Sequence, residues 1–166
     1  MSTETIWRRT IAIAAVAAAA VALSGCSILD QVTNQIGDAV DSEPGTTQDI
    51  FSLVIGDCEI GNQDGGEVSS TKTIDCDEPH DAEIYAASYL ADGDFPGDSV
   101  IEAQATNDCY TEFSTFMGVE YEDSVYDFSW YYPTAGSWSE GDREILCLVY
   151  DPSGNQITGS LAGSGL

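Results

Sequence analysis

The chain has 166 residues, 29 of them acidic and only 4 basic, for a formal net charge of −25 and a pI near 4.1. So acidic a surface excludes nucleic-acid binding, which needs Lys and Arg to displace phosphate counterions. It also repels anionic lipid heads and wall polymers within a Debye length of about 8 Å, and the length fits one small domain plus a tether.

Arg8 and Arg9 precede an unbroken apolar run from Ile11 to Leu23. The run is short for a membrane span, which needs roughly 20 apolar residues, and has the length and flanks of a secretory signal. It ends in Leu23-Ser24-Gly25-Cys26. Small residues directly before a cysteine form a lipobox, so residues 1–25 are read as a lipoprotein signal peptide and Cys26 as the lipid-bearing N-terminus. Thr10-Ile11 continues the Arg pair poorly for twin-Arg export, which favours the general route. Removing residues 1–25 takes away Glu4, Arg8 and Arg9. The mature chain then has 28 acids against Lys72 and Arg143 alone, a net of −26.

Residues 26–49 are read as a lipid-anchored flexible tether. Ile28, Leu29, Val32, Ile36, Ala39 and Val40 recur at helical spacing, but the acidic polar face is wrong for lying on a membrane, and Asp41 to Gly45 ends any helix. The domain is expected over 50–162, with 163–166 a loose end. Phe51, Leu53 and Ile55 alternate as a first strand running into Gly56-Asp57-Cys58. A turn-rich loop at 61–66 follows, then a second strand from Val68 to Cys76. Ala82 to Leu90 reads as a third strand, with Ile84, Ala86 and Leu90 on one face and Tyr85 and Tyr89 on the other.

Ser99 and Glu102 are spaced as a capping box at the start of a long helix. Ile101, Ala105, Cys109, Phe113, Phe116 and Met117 form its apolar stripe, and Gly118 ends it. Ser124 to Tyr132 alternates, with Tyr126, Phe128, Trp130 and Tyr132 on one face and Val125, Asp127, Ser129 and Tyr131 on the other. An irregular stretch over Thr134–Asp142 leads to Ile145–Tyr150, apolar on both parities as a central strand covered on both faces would be. Gln156 to Leu161 reads as a closing strand. The fold class is α+β: an antiparallel sheet of about five or six strands with one long helix packed on a face, held by two disulfides.

With Cys26 carrying lipid, four cysteines remain in an oxidising compartment. They admit three pairings. The sequence-local one, Cys58–Cys76 and Cys109–Cys147, is favoured because it joins two strand ends and then helix to sheet. One histidine and no Cys-x-x-Cys spacing leave no zinc site. His80, with Asp81 and Glu83, is the candidate polar site: an imidazole beside carboxylates could act as a base, yet no nucleophile elbow or H-E-x-x-H accompanies it. A structural role for His80 at the turn is the simpler reading. Asp92, Asp94 and Asp98 lack the alternating ligands of a calcium loop. Arg143 is expected to anchor the last strand through a paired guanidinium, with ligand recognition as the alternative. The late aromatics read first as core residues, and Tyr121, Tyr131 and Trp138 are the candidate partner-binding rings if they are exposed instead. No cofactor is implied.

Gly56-Asp57-Cys58, Asp75-Cys76 with Pro79-His80-Asp81-Ala82-Glu83, Cys109, Tyr132-Pro133-Thr134 with Trp138, and Gly141-Asp142-Arg143 through Cys147-Leu148 occur in this order. Together they resemble the actinobacterial septum-formation domain family over roughly residues 50–162. The resemblance implies an exported or membrane-anchored envelope protein linked to septum formation, with an envelope or division protein as partner. It implies no catalytic residues. The expected function is thus a non-enzymatic, lipid-anchored binding or scaffolding domain on the extracytoplasmic side of the cell membrane. The alternatives are an envelope hydrolase centred on His80 and a cation- or solute-binding lipoprotein. Oligomeric state is not encoded in any motif.

Overall fold

The computed structural model describes residues 44–61 and 67–166. The residues read as signal peptide, the expected lipid-bearing Cys26 and the expected tether up to residue 43 lie outside the described residues. Six strands form one antiparallel sheet: β1 (Thr46–Asp49), β2 (Cys58–Ile60), β3 (Ser70–Ile74), β4 (Ala82–Tyr89), β5 (Asp127–Tyr131) and β6 (Glu144–Tyr150). Their spatial order is β1-β3-β2-β4-β6-β5, so β1 and β5 are the two edges. The long helix α1 (Asp98–Met117) and the short helix α2 (Ala135–Ser139) are the α-helices among the described residues, beside 3₁₀ turns at Ile50–Ser52 and Tyr121–Asp123.

Helix α1 buries the predicted stripe. Ile101, Ala105, Cys109, Phe113 and Met117 are fully enclosed against Tyr85, Ile145, Cys147 and Val149 of the sheet. Each such large apolar side chain contributes about 1.5–3 kcal/mol when removed from water. The opposite sheet face carries a smaller core of Ile84, Leu146, Leu148 and Ala82, covered by Ile50 and Leu53. Strand β6 is thereby covered on both faces, as its sequence predicts. Both expected disulfides are present, with Cα separations of 5.3 Å for Cys58–Cys76 and 5.4 Å for Cys109–Cys147.

Several boundaries differ from the sequence reading, each for a local reason. No strand forms over Phe51–Ile55. The Asp49 carboxylate accepts from the Phe51 N–H at 2.9 Å and caps a 3₁₀ turn over Ile50–Ser52, while Asp57 accepts from the Val54 N–H at 2.9 Å. Such short acidic side chains offer the backbone partners that compete with a ladder. The sheet instead begins at Thr46, inside the stretch read as tether. β1 pairs with β3 from Thr46↔Thr73 to Asp49↔Ser70 and is largely exposed, so it carries no apolar period.

In β4 the register shifts between Ile84 and Ala86. This bulge carries Tyr85 and Ala86 both into the core beneath α1, whereas Ile84 lies in the core on the other face. Strict alternation therefore misassigned Tyr85, whose hydroxyl donates to the Cys109 carbonyl at 2.7 Å.

The Ser99–Glu102 capping box is absent because the helix starts two residues earlier than that box would set it. Gly97 is the N-cap at φ 96°, with no side-chain cap, so Ser99 already lies within the first turn. Glu102 instead accepts from the Tyr132 hydroxyl at 3.1 Å. Gly118 ends the helix as expected, at φ 76°.

The expected closing strand reduces to a single bridge, His80↔Ile157. The last residues are tied down rather than loose. Gly163 and Gly165 donate N–H bonds to the Phe116 and Met117 carbonyls at 2.7 and 2.8 Å, satisfying acceptors that the end of α1 leaves open.

Candidate functional site

On the sheet face away from α1, β5 and the ends of β6 floor a cleft of about 1270 Å³, while Leu146 and Leu148 of β6 are packed under Ile50 and Leu53. Ser129, Tyr131, Leu146 and Tyr150 line its floor. Ile50, Phe51 and Val68 form one wall, and the α2 segment and the Asp151–Gly154 turn close the ends. Residues next to the covering loop stay strongly exposed although apolar: Phe51 is 59 %, Val54 60 % and Ile55 57 % accessible. The turns capped by Asp49 and Asp57 turn these side chains outward while Leu53 is buried.

One ionisable group lies buried on this same face. Glu59 is only 1 % exposed and pairs across the ladder with Ala82. The Tyr131 hydroxyl donates to both of its carboxylate oxygens, at 2.8 and 3.1 Å. Burial pushes the Glu59 carboxyl up from 4.5 to about 7, against the lowering effect of the Tyr131 bond. The sequence reading missed Glu59. The signal was available: between Cys58 and Ile60 it occupies a central strand, where alternation turns it to the face opposite Cys58.

Tyrosine hydroxyls partner carboxylates repeatedly. Besides Tyr131–Glu59, Tyr89 donates to Glu144 at 2.6 Å, Tyr110 to Glu122 at 2.5 Å, Tyr121 to Asp127 at 2.9 Å and Tyr132 to Glu102 at 3.1 Å. In Tyr121 the bond to Asp127 is the main cause of a raised phenol pKa, and in Tyr89 the bond to Glu144 is. With Lys72 and Arg143 the only cations among residues 26–166, phenols serve as donors for acids that would otherwise lack them.

The structure disperses the sequence-predicted candidates. His80 is fully buried, its Nδ1 lies 2.9 Å from the Glu78 carbonyl oxygen, and its Nε2 has no hydrogen-bond partner. Asp81 accepts from the Gly61 N–H at 2.7 Å. Glu83 is also buried and accepts from the Ser160 hydroxyl at 2.6 Å and the Leu161 N–H at 2.7 Å, pinning the C-terminal segment. These three residues therefore hold a turn, a loop and the tail, and do not converge on one open site.

Trp138 is 7 % exposed and belongs to the core, which corrects its reading as a partner-binding ring. Its Nε1 donates to the Gly93 carbonyl at 3.0 Å, Phe95 packs edge-on, and the Arg143 guanidinium stacks 3.7 Å from its ring centroid. Arg143 also donates to the Trp138 carbonyl at 2.9 Å and pairs with Asp92 at 3.4 Å, so it anchors α2 at the start of β6. Tyr121 is half-buried between Phe113, Phe128 and Tyr110. Of the three candidate aromatics, Tyr131 alone lines the cleft.

Among the described residues one set of potential ligand atoms lies close together, that of Cys58, Cys76 and Glu83. Its two sulfurs are joined in the disulfide and do not act as thiolate ligands. Asp92 is 98 % exposed at its side chain and is spent on Arg143. No described helix is long and apolar enough to cross a membrane.

A family model for septum formation matches residues 55–164, more than half of the chain. The chain belongs to the septum-formation family. The match begins at Ile55, takes in both disulfides, the buried Glu59 and all of α1, and ends two residues short of the C-terminus. No curated protein and no solved structure matches the chain. Among the described residues of this septum-formation domain, the cleft on the sheet face away from α1 is a concave surface open to solvent. It offers phenol and hydroxyl donors, carboxylate acceptors and an apolar wall of Ile50, Phe51 and Val68.

Proposed function

We propose that this septum-formation domain is a lipid-anchored, extracytoplasmic, non-enzymatic binding module that presents its cleft to a protein of the division or envelope-assembly machinery. The family match supports the link to septum formation. The lipobox at Leu23–Cys26 supports the anchor. Two acyl chains on one cysteine hold a protein stably at a membrane where one would not, which suits a domain of such negative charge.

The observation that carries the binding role is the cleft floored by β5, with Phe51 in its wall 59 % exposed. A concave surface with exposed apolar area and a few polar groups is the usual form of an interaction site. A hydrolytic role for His80 is disfavoured by its complete burial, because a general base must come within hydrogen-bond reach of its substrate.

The test is site-specific photocrosslinking in dividing cells with the full chain. A photoreactive residue at position 51 is expected to capture division proteins, and one at position 110 on the helix face is not. A Cys26→Ser chain, released from the membrane, is expected to lose the capture. Equal yields from positions 51 and 110 would refute the assignment of the cleft.

A further inference from the structure

Resting on that binding role, we infer that the cleft takes an extended, Lys- or Arg-bearing polypeptide segment of the partner. Three observations narrow the occupant. The first is charge: the lining residues include Glu67, Glu140, Asp142, Glu144 and Asp151, and no Lys, Arg or His. A second copy of this chain, or its own acidic stretch with Asp30, Asp38, Asp41 and Glu43, would bring like charge to that surface. Nucleic acid and anionic lipid are excluded on the same ground.

The second observation is the chemistry of the floor and wall. Phe51, Tyr131 and Tyr150 offer apolar area and ring faces beneath the acidic rim. Such a surface accommodates the aliphatic stems of Lys and Arg while the heads reach the carboxylates, and phenol faces attract cations. A bare metal ion would leave that apolar area unused.

The third is shape. The floor runs along β5, whose five residues span about 17 Å at roughly 3.4 Å each. It lies at an edge of the sheet. A strand-like segment of about five residues spans the same length.

The test uses the full chain in detergent with a synthetic alternating Lys-Val decapeptide, its Glu-Val counterpart and spermine, measured by calorimetry. The Lys-Val peptide is expected to bind saturably, about tenfold more weakly when salt rises from about 50 to 500 mM, and the Glu-Val peptide not at all. The pair Glu67→Lys with Glu140→Lys should weaken binding about tenfold or more, because both exposed carboxylates line the cleft. Glu78→Lys with Glu112→Lys changes net charge equally but away from the cleft, and should weaken it less than about twofold.

Absence of Lys-Val binding would overturn the inference, as would equal loss in the two double variants or spermine binding as tightly as the peptide. Capture of division proteins from position 51 together with failure of the basic peptide would leave the binding role standing and remove only the basic occupant.

Discussion

The buried carboxyl of Glu59 makes stability a readable function of pH. Its folded pKa stands at about 7 against 4.5 for an ordinary glutamate, so folding favours the protonated form. The resulting stabilisation is fully present below pH 4.5 and is lost as pH rises through 7. A shift of that size corresponds to roughly 3 kcal/mol. Glu59→Gln keeps the shape and leaves an amide oxygen to accept from Tyr131, but removes the ionisation. Urea denaturation of both proteins, disulfides intact, from pH 4.5 to 8.5 gives the measurement. The crowd of other carboxylates affects both proteins alike, so the difference between them isolates Glu59. The variant should be near wild-type stability or slightly below it at pH 4.5 and should gain on wild type by roughly 3 kcal/mol by pH 8. Parallel profiles, separated by a constant offset, would show that Glu59 does not change protonation in this window and would refute the reasoning.

Two further outcomes follow from the packing. Trp138→Ala removes a buried ring, its Gly93 hydrogen bond and the Arg143 stack, and should cost about 3–5 kcal/mol in thermal unfolding; an unchanged melting temperature would return Trp138 to the surface. Removing Cys109–Cys147, with a sequence separation of 38, should cost about 4 kcal/mol. Removing Cys58–Cys76, with a separation of 18, should cost about 3. The reverse order, measured with paired Ser substitutions, would mean that loop entropy does not govern these crosslinks.

How much of the site could be read beforehand depends on which force sets each residue's place. Tyr131 was found because β5 alternates cleanly and its odd parity leaves the helix-side core. Trp138 was misread because the burial of a ring in an irregular segment depends on partners from elsewhere, here Gly93, Phe95 and Arg143. Glu59 passed as one acid among 29, since sequence alone does not show that a carboxylate sits under a tyrosine 72 positions away.

By itself the sequence determined the helix α1, the double-sided strand β6, both disulfides and the membership in the septum-formation family. These rest on local period and on cysteine positions, and neither needs knowledge of distant contacts. Tertiary structure decided the rest. It drew Thr46–Asp49 into the sheet through pairing with β3, turned Tyr85 inward with a bulge, and docked the tail on the end of α1. It also left β5 and the ends of β6 lining a cleft on the face away from α1, because Ile50 and Leu53 cover only part of that face. The cleft exists for that reason, and no local pattern in the chain announces it.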